Sequence, residues 1–111
     1  MKKIRIRDHT RFQADRMAKV ALGATERALV DLYCVAPGQS QKAHTLGEQD
    51  KVYVVLEGDV RITVGGEDDT FGPGEAVIAR AGEVHGLVNA GPVPAVLLVV
   101  VTPPPPHAPG A

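Results

Sequence analysis

A chain of 111 residues with 44% apolar side chains can build one hydrophobic core, burying roughly 65% of its unfolded surface, but not two. A net charge of −1 gives no overall attraction for nucleic acid, and the longest apolar run, residues 93–101, is too short for a bilayer and contains Pro94. One cysteine, Cys34, excludes an intrachain disulfide, and a charged beginning without an apolar core does not read as a secretion signal, so a cytoplasmic protein is expected.

The charge is unevenly spread: Lys2, Lys3, Arg5, Arg7, Arg11, Arg16 and Lys19 are seven of the twelve basic residues. A basic patch for an anionic partner is one reading. The plainer one is a solvated edge strand over residues 3–7, with Ile4 and Ile6 on one face and Arg5 and Arg7 on the other. Aromatic interleaving is missing, so no nucleic-acid partner is expected. Residues 17–22 and 27–35 read as strands joined through "GATE", and "APGQS" (36–40) as a turn. A short strand follows at 41–46, then a loop, then the Val- and Tyr-rich strand 51–57. Gly58 interrupts, and alternation resumes over 59–64. "GGEDD" (65–69) and "FGPGE" (71–75) read as turns, and strands follow at 76–80, 84–89 and 95–101.

About nine short strands indicate an all-β sandwich or small barrel. The last strand is continuously apolar and reads as buried on both faces, a barrel wall that a partner subunit could cover. One domain over 1–102 is expected, followed by a proline-rich tail, 103–111, that favours polyproline geometry and contains His107.

A lone histidine usually packs or hydrogen-bonds without binding anything. His9 lies in the polar N-terminal segment, whereas His44 and His85 each sit on an expected strand after a glycine-containing turn, where a barrel could present them inward. Cys34 lies in an apolar strand and reads as an inert core thiol. A glycine-rich phosphate loop, a nucleophile-elbow serine and a CxxC pair are all missing.

The stretch from Gly38 to Asn89 resembles the cupin superfamily. Its first motif is glycine, five residues, His-x-His, three or four residues, Glu, six residues, glycine; Gly38, His44 and Gly58 match it. Its second motif is glycine, five residues, Pro-x-Gly, two residues, His, three residues, Asn; Gly74, Gly82, His85 and Asn89 match it. The resemblance implies an antiparallel double-stranded β-helix, or jelly-roll barrel, commonly paired as a homodimer. It also implies a divalent transition metal (Fe, Mn, Ni or Zn) held by three His and one Glu.

The departures decide what can be carried over. Leu46 stands at the second histidine position, Lys51 at the glutamate and Arg80 at the motif proline, leaving His44 and His85 as metal ligands. A catalytic site normally has three protein ligands and an open position. Leucine has no lone pair to give, and a pocket-facing lysine repels a divalent ion, so any metal should be weakly bound. Glu48 or Asp50 could bend in as a third ligand, completing a 2-His-1-carboxylate set.

Three readings follow. The first is a cavity lined by His44, Leu46, Lys51, Tyr53, His85 and Asn89 that binds a small, in one version anionic, molecule. The second is a metal-dependent enzyme of dioxygenase or isomerase type. The third is a structural or partner-binding module that uses the proline tail or the dimer face.

Overall fold

The computed structural model describes residues 1–45 and 47–105; Leu46 and residues 106–111, including His107, lie outside the described residues. Among the described residues nine strands form two antiparallel sheets. In chain order these are β1 (Ala18–Ala24), β2 (Leu29–Val35), β3 (Ser40–His44), β4 (Asp50–Glu57), β5 (Val60–Val64), β6 (Glu67–Phe71), β7 (Ala76–Ala79), β8 (His85–Val88) and β9 (Ala95–Thr102). One sheet has the order β1-β2-β9-β4-β7 and the other β3-β8-β5-β6. No helix among the described residues is long and apolar enough to cross a membrane.

The core lies between the sheets. Alternation along β2, β4 and β9 turns Leu29, Tyr33, Val35, Tyr53, Val55, Leu97 and Val99 inward, against Val60, Ile62 and Leu87 of the facing sheet. The opposite face of the five-stranded sheet is apolar too. Ala18, Leu22, Leu32, Cys34 and Val96 are buried there, with Ile6, Val20, Leu56 and Leu98 packed on them.

Two expected features differ. Residues 3–7 form no strand: the backbone turns through a 3-10 helix, Ile6–His9, which lays Ile6 on that outer cluster. Packing one isoleucine against an existing apolar face outweighs strand alternation in a segment whose other residues are solvated. Conversely, the expected turn at 65–69 carries the start of β6. Gly65 and Gly66, at φ 59° and 87°, make a two-residue hairpin that pairs Val64 with Glu67. The connection between β1 and β2 also shifts beyond "GATE": Thr25 caps it by accepting from the N–H groups of Arg27 and Ala28.

Candidate functional site

Strand register gathers the polar interior. On β2, Asp31 shares the inward parity of Leu29 and Tyr33. Across β9, Asp31 and Tyr53 both face Val99, while Lys51 faces Val101. In the other sheet His44 pairs directly with His85, after an irregularity between Gln41 and His44. Gly86 permits this approach, because a Cβ there would stand 2.8 Å from the Gln41 carbonyl and 2.9 Å from Ala43 Cα.

The two imidazoles lie with ring centroids 4.5 Å apart. His44 Nδ1 is 2.8 Å from the Lys42 carbonyl, and His85 Nδ1 is 3.0 Å from the Glu83 carbonyl. A carbonyl only accepts, so each Nδ1 carries its proton and donates, leaving a lone pair on each Nε2 of a neutral ring. His85 Nε2 is buried without a partner among the described residues. Burial, the largest effect, lowers the His85 pKa and favours that neutral ring.

Lys51 is wholly buried. Its Nζ donates to Gln41 Oε1 at 3.2 Å, and Tyr53 Oη donates to the same oxygen at 3.0 Å. The ammonium lies 5.0 Å from the Tyr33 ring centroid and 5.2 Å from that of Tyr53, while Lys19 Nζ is 5.5 Å from Tyr33. Burial drives the Lys51 pKa down to about 7; Lys19 adds to the fall and Asp31 opposes it. Asp31 is 1% exposed, and neither carboxylate oxygen has a partner among the described residues. Its pKa is raised by burial, against the pull of Lys19 and Lys51.

The expected site residues divide into two groups. His44, Lys51, Tyr53 and His85 converge. Asn89 points elsewhere: its Nδ2 donates to the carbonyls of Val35 and Val93, and its Oδ1 accepts from Gly91 N–H, so it ties β2 to the loop before β9. Asp50 Oδ1 accepts from Ala81 N–H at 2.9 Å, and Glu48 is exposed in its loop. Leu46 lies outside the described residues.

Among the described residues no group of three His, Cys, Asp or Glu side chains could hold a metal. Two Nε2 lone pairs beside a buried lysine do not fit the metal that the sequence resemblance implies. Asp31, Gln41 and Tyr33 join the cluster, with the exposed Lys19 reaching the Tyr33 ring from β1, without having been singled out as site residues in the sequence. The one available signal was an acid at an inward position of the apolar strand "LVDLYCV".

Nearby, a cleft of about 430 Å³ opens between β6 and β7, floored by Ile62, Val64, Phe71 and Val77. Val64 is the cross-strand neighbour of His85 and Val77 that of Tyr53, but neither His85 nor Tyr53 lines the cleft.

The family model described as "Cupin domain" matches residues 31–101. The chain belongs to the cupin family. This cupin is 43% identical to TT1209 from Thermus thermophilus, with a TM-score of 0.92 over 95% of this chain and 100% of that one. It also resembles, at 24% identity, a Klebsiella pneumoniae protein with a double-stranded β-helix domain (TM-score 0.86, covering 93% of this chain and 90% of that one). The structure of KdgF from Halomonas sp., at 18% identity and a TM-score of 0.81 over 96% of the cupin and 97% of KdgF, shares the fold. A search of curated proteins gave no match.

Proposed function

We propose that this cupin binds a small anionic molecule inside its barrel without a resident metal, with the Lys51 ammonium as the anchoring cation. The carrying observation is a wholly buried lysine whose one hydrogen bond among the described residues is to a neutral amide, Gln41. Lys51 shares this interior with one acid, Asp31, whose pKa burial raises; with that carboxyl protonated and both imidazoles neutral, one negative charge from a ligand would balance the ammonium. A charge-assisted hydrogen bond to Lys51 contributes about 1.5–3 kcal/mol. A hydroxyl or other donor on the same molecule would satisfy His85 Nε2 and an Asp31 oxygen, buried atoms that lack partners among the described residues. Gln41 and His44 are half-buried, unlike the fully buried Lys51 and Tyr53.

Metal analysis of untagged protein tests the reading. Substoichiometric, easily removed metal is expected; one tightly held equivalent of iron, manganese, nickel or zinc overturns it. The same proposal includes a homodimer joined through the outer face of the five-stranded sheet. There Val52, Val54, Leu98 and Val100 are half-buried and Ile78 is 58% exposed, a contiguous apolar surface on neighbouring strands.

A further inference from the structure

Strand β6 breaks the pattern that builds the core. Its pairing with β5 sets Glu67 opposite Val64, Asp69 opposite Ile62 and Phe71 opposite Val60, so two carboxylates share the face that those apolar residues turn toward the core. Inward charges on an edge strand discourage further strand pairing. Here the two sheets also stand apart. β6 and β7 are the open edges of their sheets, and between them lies the cleft of about 430 Å³ floored by Ile62, Val64, Phe71 and Val77. That volume is in the range of small-molecule sites. The charge around it is unbalanced. Asp68, on the other face of β6, is held by Arg61 Nη2 at 3.5 Å and by the Thr63 hydroxyl. Arg80 and Glu83, in the turn after β7, add one charge of each sign. Asp69 Oδ1 accepts from the N–H of Thr70, and the Glu67 carboxylate has no partner among the described residues. Among the described residues no three acids converge closely enough to hold a metal ion, so an organic cation is the better match.

We infer that this cleft is a second binding site, for a primary amine carried on an apolar body the size of a phenylalkyl chain. It is separate from the interior around Lys51 and does not depend on the anion-binding reading. Glu67 and Asp69 are two residues apart on one face of a strand, which puts their Cα atoms about 7 Å apart, and one ammonium between their side chains can donate to both. Its remaining donor stays in water. The apolar body covers Ile62, Val64 and Val77, with Phe71 at one end and the turn at Gly65 at the other. Burial of that body supplies the affinity, because exposed ion pairs contribute little on their own. The carboxylates supply the choice of an amine over a neutral or acidic analogue.

NMR titrations of the full-length protein with 4-phenylbutylamine, 4-phenylbutanol and 4-phenylbutyrate test this. Saturable shifts centred on Val64, Phe71 and Val77 are expected, with the amine binding at least about fivefold more tightly than the alcohol. The butyrate should leave the cleft unshifted. Raising the salt to about 0.5 M should remove most of the amine's advantage and leave the alcohol unchanged. Glu67→Gln combined with Asp69→Asn, at exposed positions and checked for folding by its melting curve, should bring the amine to the alcohol's level. Equal affinity for amine and alcohol, or an advantage that survives in the double variant, overturns the inference. Absence of any saturable shift at the cleft overturns it as well, and leaves the inward acids as edge protection alone. Shifts confined to His44 and His85 would place the amine in the barrel and reject the cleft. A dimer in sedimentation that the double variant dissolves would also reject it, because a second copy then fills the cleft.

Discussion

Lys51 sets the chemistry of the interior and also makes stability depend on pH. Its folded pKa, about 7, lies below the ordinary 10.5, so between those values the unfolded chain binds more protons than the folded one. Stability from this residue therefore rises as pH increases from about 7 toward 10.5, and its burden is greatest below 7. The difference sets an upper bound of roughly 5 kcal/mol. Lys51→Met should accordingly be more stable than the parent by about 1–4 kcal/mol at pH 6, with the gain shrinking toward pH 10. Thermal unfolding of both proteins across that range measures it; a gain independent of pH contradicts the buried, low-pKa lysine. The same position controls metal binding. Lys51→Glu removes a repelling cation and adds a carboxylate beside His44 and His85, so affinity for Zn²⁺ or Ni²⁺ should rise at least about tenfold by titration calorimetry. No rise would mean that the histidine pair and residue 51 do not converge on one point.

At the scale of elements, the approach of β3 to β8 holds the site together. Gly86→Ala would drive a methyl group into the Gln41 carbonyl and the Ala43 backbone, moving Gln41 and His44 away from His85. Destabilisation of about 2–3 kcal/mol and loss of ligand binding are expected from unfolding curves and titration. A fully stable variant that still binds would show that β3 can shift without consequence. Most elements were legible in the sequence because alternation and glycine turns agree from residue 51 to residue 64 and again after residue 76. The N-terminal alternation misled because Ile6 is used by an outer cluster formed from distant residues. Strand β6 escaped because "EDDT" is exposed on both faces of an edge and has low strand propensity. The Gly65–Gly66 pair was the signal for it.

At the scale of the whole molecule, the two cupin motifs made the fold legible, because their glycines and histidines depend on local spacing. The site was legible only in part. His44, Lys51, Tyr53 and His85 follow from motif and parity, whereas Asp31 and Gln41 arrive through strand pairing across β9 and β8, and Lys19 reaches the Tyr33 ring through the pairing of β1 with β2. Asn89 matches its motif position, yet its side chain is committed to backbone groups. The proposed dimer belongs to this scale as well. Val52 and Ile78 are cross-strand neighbours on the outer face, so Val52→Lys with Ile78→Lys should convert a dimer into a monomer in sedimentation without lowering the melting temperature by more than a few degrees. Unchanged mass would move the interface elsewhere. The central claim, an anion anchored by Lys51 in place of a metal, is tested most directly by calorimetric titration of chelator-treated protein with formate and glyoxylate, alongside Lys51→Met. Saturable binding to the parent, at least about tenfold weaker in the variant and unaffected by added metal, is expected; binding that requires restored metal and ignores the loss of Lys51 would contradict it.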